Sequence, residues 1–580
     1  MTGPKLQISE DTGRDKHRQF GESFEDAMRR IATALQDDDA HGAKLLEILL
    51  DQRFLPAGRV QSAAGSFRSV TAFNCFVSGV IPDSMVGIMD RLKEAALTMQ
   101  KGGGIGYDFS TIRPRGDNIV SMASQASGVL SFMEPFDAVC GTVASAGNRR
   151  GAQMGVLRVD HPDIRAFIKA KNNNTYLTRF NISVGITDKF MNAVCEGSSF
   201  NLVFNGKVYE TVDARELFNE IMQSTWDWAE PGVLFIDTMN LMNNLWYCET
   251  LAATNPCGEQ PLPPYGACLL GSFNWVKYIR RFDDSHGGFY FDLLQMQRDI
   301  PVVVRAMDNV IDRTIYPLPE QEVEAKNKRR MGLGATGVAN AMEALGLPYG
   351  SPEMLERLGG IMKMFNDQCY QASAMLAKEK GSFPLYDHAL YGSGNFIQSL
   401  DWETQKLIRN NGIRNSHLTS IAPTGSISLA ADNPSSGIEP PFLLEYNRKI
   451  KEFDGERIEK VTDYAYREWG IKGRTADELS PLEHVAVLNA VQEFVDSACS
   501  KTCNIGPEVT FEEFKKVYMK AWKGGAKGCT TFRSAGKRFG ILTPVKEKRK
   551  QVAIEHVEEP DLIEGMACTF DPATGRKTCE

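Results

Sequence analysis

Residues 255–275 read Asn-Pro-Cys-Gly-Glu-Gln-Pro-Leu-Pro-Pro-Tyr-Gly-Ala-Cys-Leu-Leu-Gly-Ser-Phe-Asn-Trp, a loop with three reactive side chains running into an apolar strand. Asn255, Cys257 and Glu259 alternate, so an extended backbone sends all three to one face and Pro256 and Gly258 to the other. Prolines at 256, 261, 263 and 264 deny the stretch a helix and stiffen it. Cys268 follows on the strand side. An amide, a thiol and a carboxylate brought together suit radical chemistry on a polyol: sulfur abstracts a hydrogen, the carboxylate takes a hydroxyl proton, and the amide orients the hydroxyls. A proline-rich turn with two buried cysteines accounts for the same residues, and spacing alone does not choose between the two.

The choice comes from a resemblance. Asn255–Leu262 resembles the finger loop of ribonucleotide reductase large chains, and is especially similar to the adenosylcobalamin-dependent class. Phe73-Asn74-Cys75-Phe76 is similar to the family's first redox cysteine segment, Gln100–Arg113 (QKGGGIGYDFSTIR) to its glycine-rich segment, and Ala422–Leu429 (APTGSISL) to its substrate-phosphate loop. These motifs stand in the family's order, and the resemblance covers roughly residues 20 to 545.

The resemblance implies a ten-stranded α/β barrel of two parallel five-stranded halves with a central finger loop, preceded by an N-terminal helical segment. It divides the chain into a helical segment 1–50, a barrel 51–544 and a flexible redox tail 545–580. It also implies roles: Cys257 as the thiyl radical, Glu259 as the base at the 3′ hydroxyl, Asn255 holding the hydroxyls, and Cys75 with Cys268 as the pair oxidised to a disulfide. Asn74, Pro423, Thr424, Gly425, Ser426 and Ile427 would bind substrate, a ribonucleoside diphosphate being favoured. Asp83, Arg113 and Ile119 would line a specificity pocket for deoxynucleoside triphosphates or ATP at a homodimer interface. Gly147–Gln153 is similar to the loop that relays effector identity to the substrate base, and segment 172–184, with Asn181, supplies the next strand and loop. Tail residues Cys568 and Cys579 would pass electrons from a thioredoxin-like or glutaredoxin-like reductant, although ten intervening residues is a wider spacing than such tails usually carry.

The radical source is read from an absence. Chains served by a separate radical subunit carry adjacent tyrosines near the end of the barrel, whereas here the stretch reads Gly528-Cys-Thr-Thr-Phe-Arg533. With no glycyl-radical motif in the tail either, adenosylcobalamin is the expected cofactor. Two alternatives stay open: a catalytic subunit that needs a protein radical partner, and a non-catalytic nucleotide-sensing relative.

Bulk properties agree. The 580 residues are 42% hydrophobic and 24% charged, which fits a globular chain with a large core. A net charge of −8 argues against nucleic acid as a partner, while backbone amides and a few arginines still allow a nucleotide. The opening MTGPKLQISEDTGRDK has no apolar core, and no run of about eighteen apolar residues exists for a membrane span. Twelve cysteines without a C-x-x-C pattern fit a reduced, cytoplasmic protein with no metal site.

Local patterns add expectations. Residues 1–20 are polar and predict a loose segment, and Phe24–Leu50 has helical spacing. The resemblance begins almost at once, so the N-terminal nucleotide-binding cone that often sets overall activity is expected to be missing. Met85, Ile88, Met89, Leu92, Ala96 and Met99 form a helical stripe, and Pro135–Ser145 predicts a second helix. Gly102, Gly103, Gly104 and Gly106 lack the Lys-Ser/Thr of a phosphate loop. Gly332–Gly337 matches G-x-G-x-x-G but follows Lys326–Arg330, which is no strand, so it reads as helix packing rather than a dinucleotide site. An apolar strand at 418–422 leads into the small-residue turn Pro423–Ser428, a plausible anion nest, and Gly437–Pro441 closes the segment. Lys546–Lys550 opens a charged linker, and a flexible tail from Pro544 to Cys579 spans on the order of 30 Å.

Overall fold

The computed structural model describes residues 3–119, 123–143, 151–173, 175–282, 287–452, 455–533, 536–537, 569–571 and 576–578. Cys568, Cys579, the linker from Lys546 and residues 147–150 of the expected relay loop lie outside them.

Apolar runs set the central layer. Gln153–Arg158, Phe180–Ile186 and Gly232–Phe235 are buried along almost their whole length, the pattern of strands covered on both faces. They join Cys75–Val77 and Gly104–Asp108 in five parallel strands. Helices Met85–Gln100 and Val129–Thr142 lie in the connections between these strands and pack on each other, as parallel crossovers require.

Gly528–Arg533 adds antiparallel beside Gly232–Phe235, and Thr502–Ile505 lies parallel to it. At the opposite edge Ala267–Cys268 pairs antiparallel with Cys75–Val77, completing an eight-stranded sheet. Leu270–Asn274 runs parallel to Gly332–Thr336 and antiparallel to Phe54–Pro56 in a three-stranded sheet. Parallel bridges Leu333–Thr419 and Ile421–Cys499 extend that direction of run. The architecture is mixed α/β with a large, mostly parallel sheet. Among the described residues the hydrogen bonding forms these two larger sheets, six two-stranded ones and linking bridges, not one continuous ten-stranded ring.

Three local expectations are corrected. Gln7–Lys16 is a helix, because Ile8 finds an apolar partner set in Leu429, Tyr446 and Val461 that no local reading could supply. The second helix spans Val129–Thr142 instead of 135–145; Pro135 sits in its interior while Met133 and Phe136 face the core. Gly332–Thr336 is a strand leading into helix Val338–Ala344, so its glycines serve a sheet and not helix packing. Phe24–Leu35 and Asp39–Leu50 are helices, capped by Ser23, which accepts from the Asp26 amide at 3.2 Å, and by Asp38, which accepts from the His41 amide at 2.8 Å.

Candidate active site

The 255–260 stretch is the tip of a hairpin whose arms pair Ala253 with Leu262 and Thr254 with Pro261. The extended alternation expected here is replaced by a turn: the Gly258 amide donates to the Asn255 carbonyl at 3.0 Å, and Gly258 has φ of 82°. Pro256 sets φ at the first corner, which favours the turn over a straight strand. The Asn255 amide donates to the Gln260 carbonyl at 3.1 Å, and the Asn255 Oδ1 accepts from the Gln260 amide at 3.0 Å.

The surrounding strands hold this tip by its backbone. Asn181 Nδ2 donates to the Pro256 carbonyl at 3.1 Å, while Ser420 Oγ and the Ala498 amide both donate to the Glu259 carbonyl at 2.9 Å. Two glycines make room. A Cβ on Gly106 would stand 1.8 Å from the Thr254 carbonyl oxygen, and one on Gly332 would stand 2.4 Å from Gln260 Nε2. The glycine-rich segment and the G-x-G-x-x-G match therefore share one cause, close passage of the hairpin.

A cleft of about 570 Å³ brings most of the predicted residues together. Asn74, Cys75, Cys257, Glu259, Pro423, Thr424, Gly425, Ser426 and Ile427 all line it. Asn255 is fully buried under the turn, bracing it through Oδ1, and its Nδ2 has no partner among the described residues. Cys268 reaches the site from the strand edge: its register partner is Cys75, and residues directly opposed in antiparallel strands have Cα atoms about 4.5–5.5 Å apart. Cys75 and Cys268 are both buried. Cys257 is disulfide-bonded.

The loop at 423–427 is set from beneath. Thr424 has φ of 55°, and its hydroxyl accepts from the Gly437 amide at 2.8 Å and meets the Thr336 hydroxyl at 2.9 Å. The predicted effector residues lie elsewhere. Asp83 and Arg113 form an ion pair at 2.8 Å, with the Arg113 amide also donating to Asp83, and Ile119 sits on the short strand Asn118–Ile119.

A second cavity of about 320 Å³ also touches Cys257 and Gly258, and its lining includes Ser183, Cys499, Lys501 and Cys529. Sequence reading missed these residues. The one signal was the Gly437–Pro441 motif, whose Glu439 pairs with buried Lys501 at 2.6 Å and accepts from the Thr502 amide at 2.6 Å. Burial pushes the Cys499 thiol up, and pushes the neighbouring Lys527 ammonium down to about 8 despite the nearby Asp496 carboxylate.

Comparison with known proteins decides the family. The sequence matches the family described as "Ribonucleotide reductase, barrel domain" over residues 73–472 and 456–532. The chain is a ribonucleotide reductase family member. Among similar reductases, a "Vitamin B12-dependent ribonucleoside-diphosphate reductase" of Thermoplasma acidophilum is 33% identical over 96% of this chain and 74% of its own length. One of the same name from Mycobacterium tuberculosis is 33% identical over 94% of this chain and 78% of its own. A "Vitamin B12-dependent ribonucleotide reductase" of Streptomyces clavuligerus is 28% identical, covering 94% of this chain and 64% of that reductase.

Proposed function

We propose that this reductase converts ribonucleoside diphosphates to 2′-deoxyribonucleoside diphosphates by thiyl-radical chemistry with adenosylcobalamin as its cofactor. The observation that carries the reading is the single cleft shared by Cys75, Cys257, Glu259 and the 423–427 loop. The diphosphate and the cofactor are taken from the names of the relatives. Closure of the two sheets into a ten-stranded barrel, with the hairpin inside, is part of the same proposal.

In this reading the backbone amides of 423–427 hold the substrate phosphates, and Asn74 contacts the ribose side of the cleft. Cys257, once reduced and relieved of its hydrogen, takes the ribose 3′ hydrogen. Glu259 accepts the 3′ hydroxyl proton, a general-base role that needs a carboxylate placed within hydrogen-bond reach. The 2′ hydroxyl leaves as water, Cys75 and Cys268 together give up two electrons and two protons to form a disulfide, and Cys257 returns the hydrogen. The turn that fixes Cys257 and Glu259 side by side is stiffened by Pro256 and braced by Asn255.

The second cavity, lined by Gly258, Ser183, Ser500 and Thr530 beside Cys257, would take only the deoxyadenosyl end of the cofactor, and its Lys501 is neutralised by Glu439. When bound, adenosylcobalamin supplies an organic radical able to remove the thiol hydrogen of Cys257. Phe532 has no phenolic proton to serve a relay from a partner protein. The proposed homodimer would bury Met85, Val86, Met89 and Leu97, which are exposed on helix Met85–Gln100, beside the Asp83–Arg113 effector site. Tail residues Cys568 and Cys579 would reduce the spent pair by thiol exchange with a thioredoxin-like or glutaredoxin-like donor. No described helix is long and apolar enough to cross a membrane.

The test is turnover of purified chain with adenosylcobalamin, a dithiol and each ribonucleotide in turn, the dithiol also releasing Cys257 from its disulfide. Deoxyribonucleotide should form without any second protein. Activity that appears only on adding a metal-loaded radical subunit would overturn the cofactor assignment, and a chain that binds nucleotides but never turns over would mark a sensing relative.

A further inference from the structure

The loop proposed to hold phosphate leads into Gly425–Ala430, a helix of six residues. A helix that short does not hold itself in water, so its position is set by what surrounds it. It is also bracketed by residues in the left-handed region that side chains other than glycine rarely adopt: Thr424 at φ 55° before it, Asp432 at 67° and Asn433 at 59° after it. Contacts on both sides must keep that backbone in place.

The Thr424 end is held locally by Thr336 and Gly437. At the other end the holding groups come from the start of the chain. Asp432 Oδ1 accepts from the Lys5 amide at 2.7 Å and the Leu6 amide at 3.0 Å, and the Asp432 carbonyl accepts from Arg467 Nη2 at 2.9 Å. Two residues on, the Ile8 amide donates to Glu459 Oε1 at 3.1 Å, and the buried Ile8 side chain packs against Leu429 of the short helix. Asp11 adds an ion pair to Arg457 at 2.6 Å. None of these N-terminal residues lines the cleft.

We propose that Asp432 and the segment 5–8 it grips are positioning elements of the phosphate loop, setting affinity for the substrate's phosphates without touching them. The proposal rests on the reading of 423–427 as the phosphate site. A polar N-terminus with two apolar residues, Leu6 and Ile8, is enough when two backbone amides are the main contact.

The test uses the full chain with adenosylcobalamin and dithiol, comparing Asp432→Ala, Ile8→Ala, the double variant and Asp432→Asn. For each single variant KM for the ribonucleoside diphosphate should rise about tenfold, the effect of about 1.4 kcal/mol of lost binding, with kcat changed less than about twofold. Inhibition by inorganic pyrophosphate should weaken in step. The double variant should be no worse than the poorer single one, because both changes release the same segment, 5–8, from the short helix. Asp432→Asn keeps the Oδ1 acceptor and should recover most of the loss, and Ile8→Val offers a milder change if Ile8→Ala folds poorly. Unchanged KM, a loss confined to kcat, or effects that simply multiply would overturn the proposal. Ser426→Asp separates the two readings: if a carboxylate placed in the loop leaves pyrophosphate inhibition unaltered, the phosphate site is elsewhere. If Ser426→Asp abolishes that inhibition while Asp432→Ala changes nothing, only the positioning role falls.

Discussion

Glu249 and Glu259 stand ten positions apart in the chain, and the side chain of the first is as hidden from solvent as the second is, yet their surroundings are opposites. Glu249 lies in a cluster in which charge meets charge: Arg330 at 2.5 Å, Lys328 at 2.8 Å, and Glu324 closing the set at 3.0 Å from Lys328 and 3.2 Å from Arg330. Asn243 Nδ2 donates to Glu249 as well, at 3.0 Å. Around Glu259 the polar groups are incompletely matched. Asn255 Nδ2 and both side-chain polar atoms of Gln260 have no hydrogen-bond partner among the described residues. One cluster ties the segments that lead into the hairpin and into strand Gly332–Thr336; the other keeps polar capacity in reserve beside a cleft. Satisfied buried networks fix a fold, and unsatisfied ones are found where a ligand is to complete them.

If that division is right, substitutions in the two regions should separate activity from stability. The largest effect is expected at the hairpin tip. Cys257→Ser should show no detectable turnover while still binding nucleotide, and Glu259→Gln should lower kcat by about 10²–10⁴-fold with stability changed by less than about 1 kcal/mol. Steady-state turnover beside equilibrium nucleotide binding checks both, and a Cys257→Ser protein that still makes product would remove the thiyl assignment.

In the matched cluster the pattern should invert. Glu249→Ala leaves two buried cations short of a partner, a loss of about 3–5 kcal/mol in chemical denaturation, while the protein that remains folded keeps its kcat. A stable but inactive Glu249→Ala would break the comparison at its other end.

Asn255→Ala probes the boundary between the two behaviours. It removes the bond from Oδ1 to the Gln260 amide, worth about 1 kcal/mol, and the unpartnered Nδ2 along with it, so stability should change little. Turnover should nevertheless fall at least about tenfold if the carboxamide braces the turn under Cys257. Equal small losses in both measurements would make Asn255 an ordinary turn residue.

The smallest effect concerns a buried carboxyl remote from the cleft lining. Burial pushes Glu343 up to about 8, even though it accepts from the Arg474 amide at 2.7 Å. The folded chain therefore holds a proton that the unfolded chain releases near the usual carboxylate value of 4.5. This contribution to stability is complete below that value and is lost as pH rises through about 8. Denaturation midpoints at pH 6 and pH 8.5 should differ less in Glu343→Gln than in the parent, with kcat unaffected by the substitution.

The site was more legible than the fold that carries it. Cys75, Cys257, Glu259 and 423–427 could be named because short motifs hold them, and the structure gathers them in one cleft. The shape of the hairpin was misread even though its signal was present. Pro256 and Gly258 are turn residues at turn spacing, and a period-two reading of the side chains between them overrode that cue. The glycines were visible without their reason, since what Gly106 and Gly332 avoid are atoms of Thr254 and Gln260, distant in sequence. The helix at Gln7–Lys16 was missed for the same cause: the groups that order it are Asp432, Glu459 and Leu429.

The hairpin is held by residues on both sides of it in sequence, and this gives its manufacture a direction. When Cys257 leaves the ribosome, Gly106 and Asn181 have already been made, but Ser420 and Ala498, which grip the Glu259 carbonyl, have not. At 5–20 residues per second, Ala498 follows roughly 10–50 s later. For that interval the nascent chain carries the thiol proposed to form the radical without the second half of its enclosure, so on that proposal a reducing environment would matter from synthesis onward and not only at turnover.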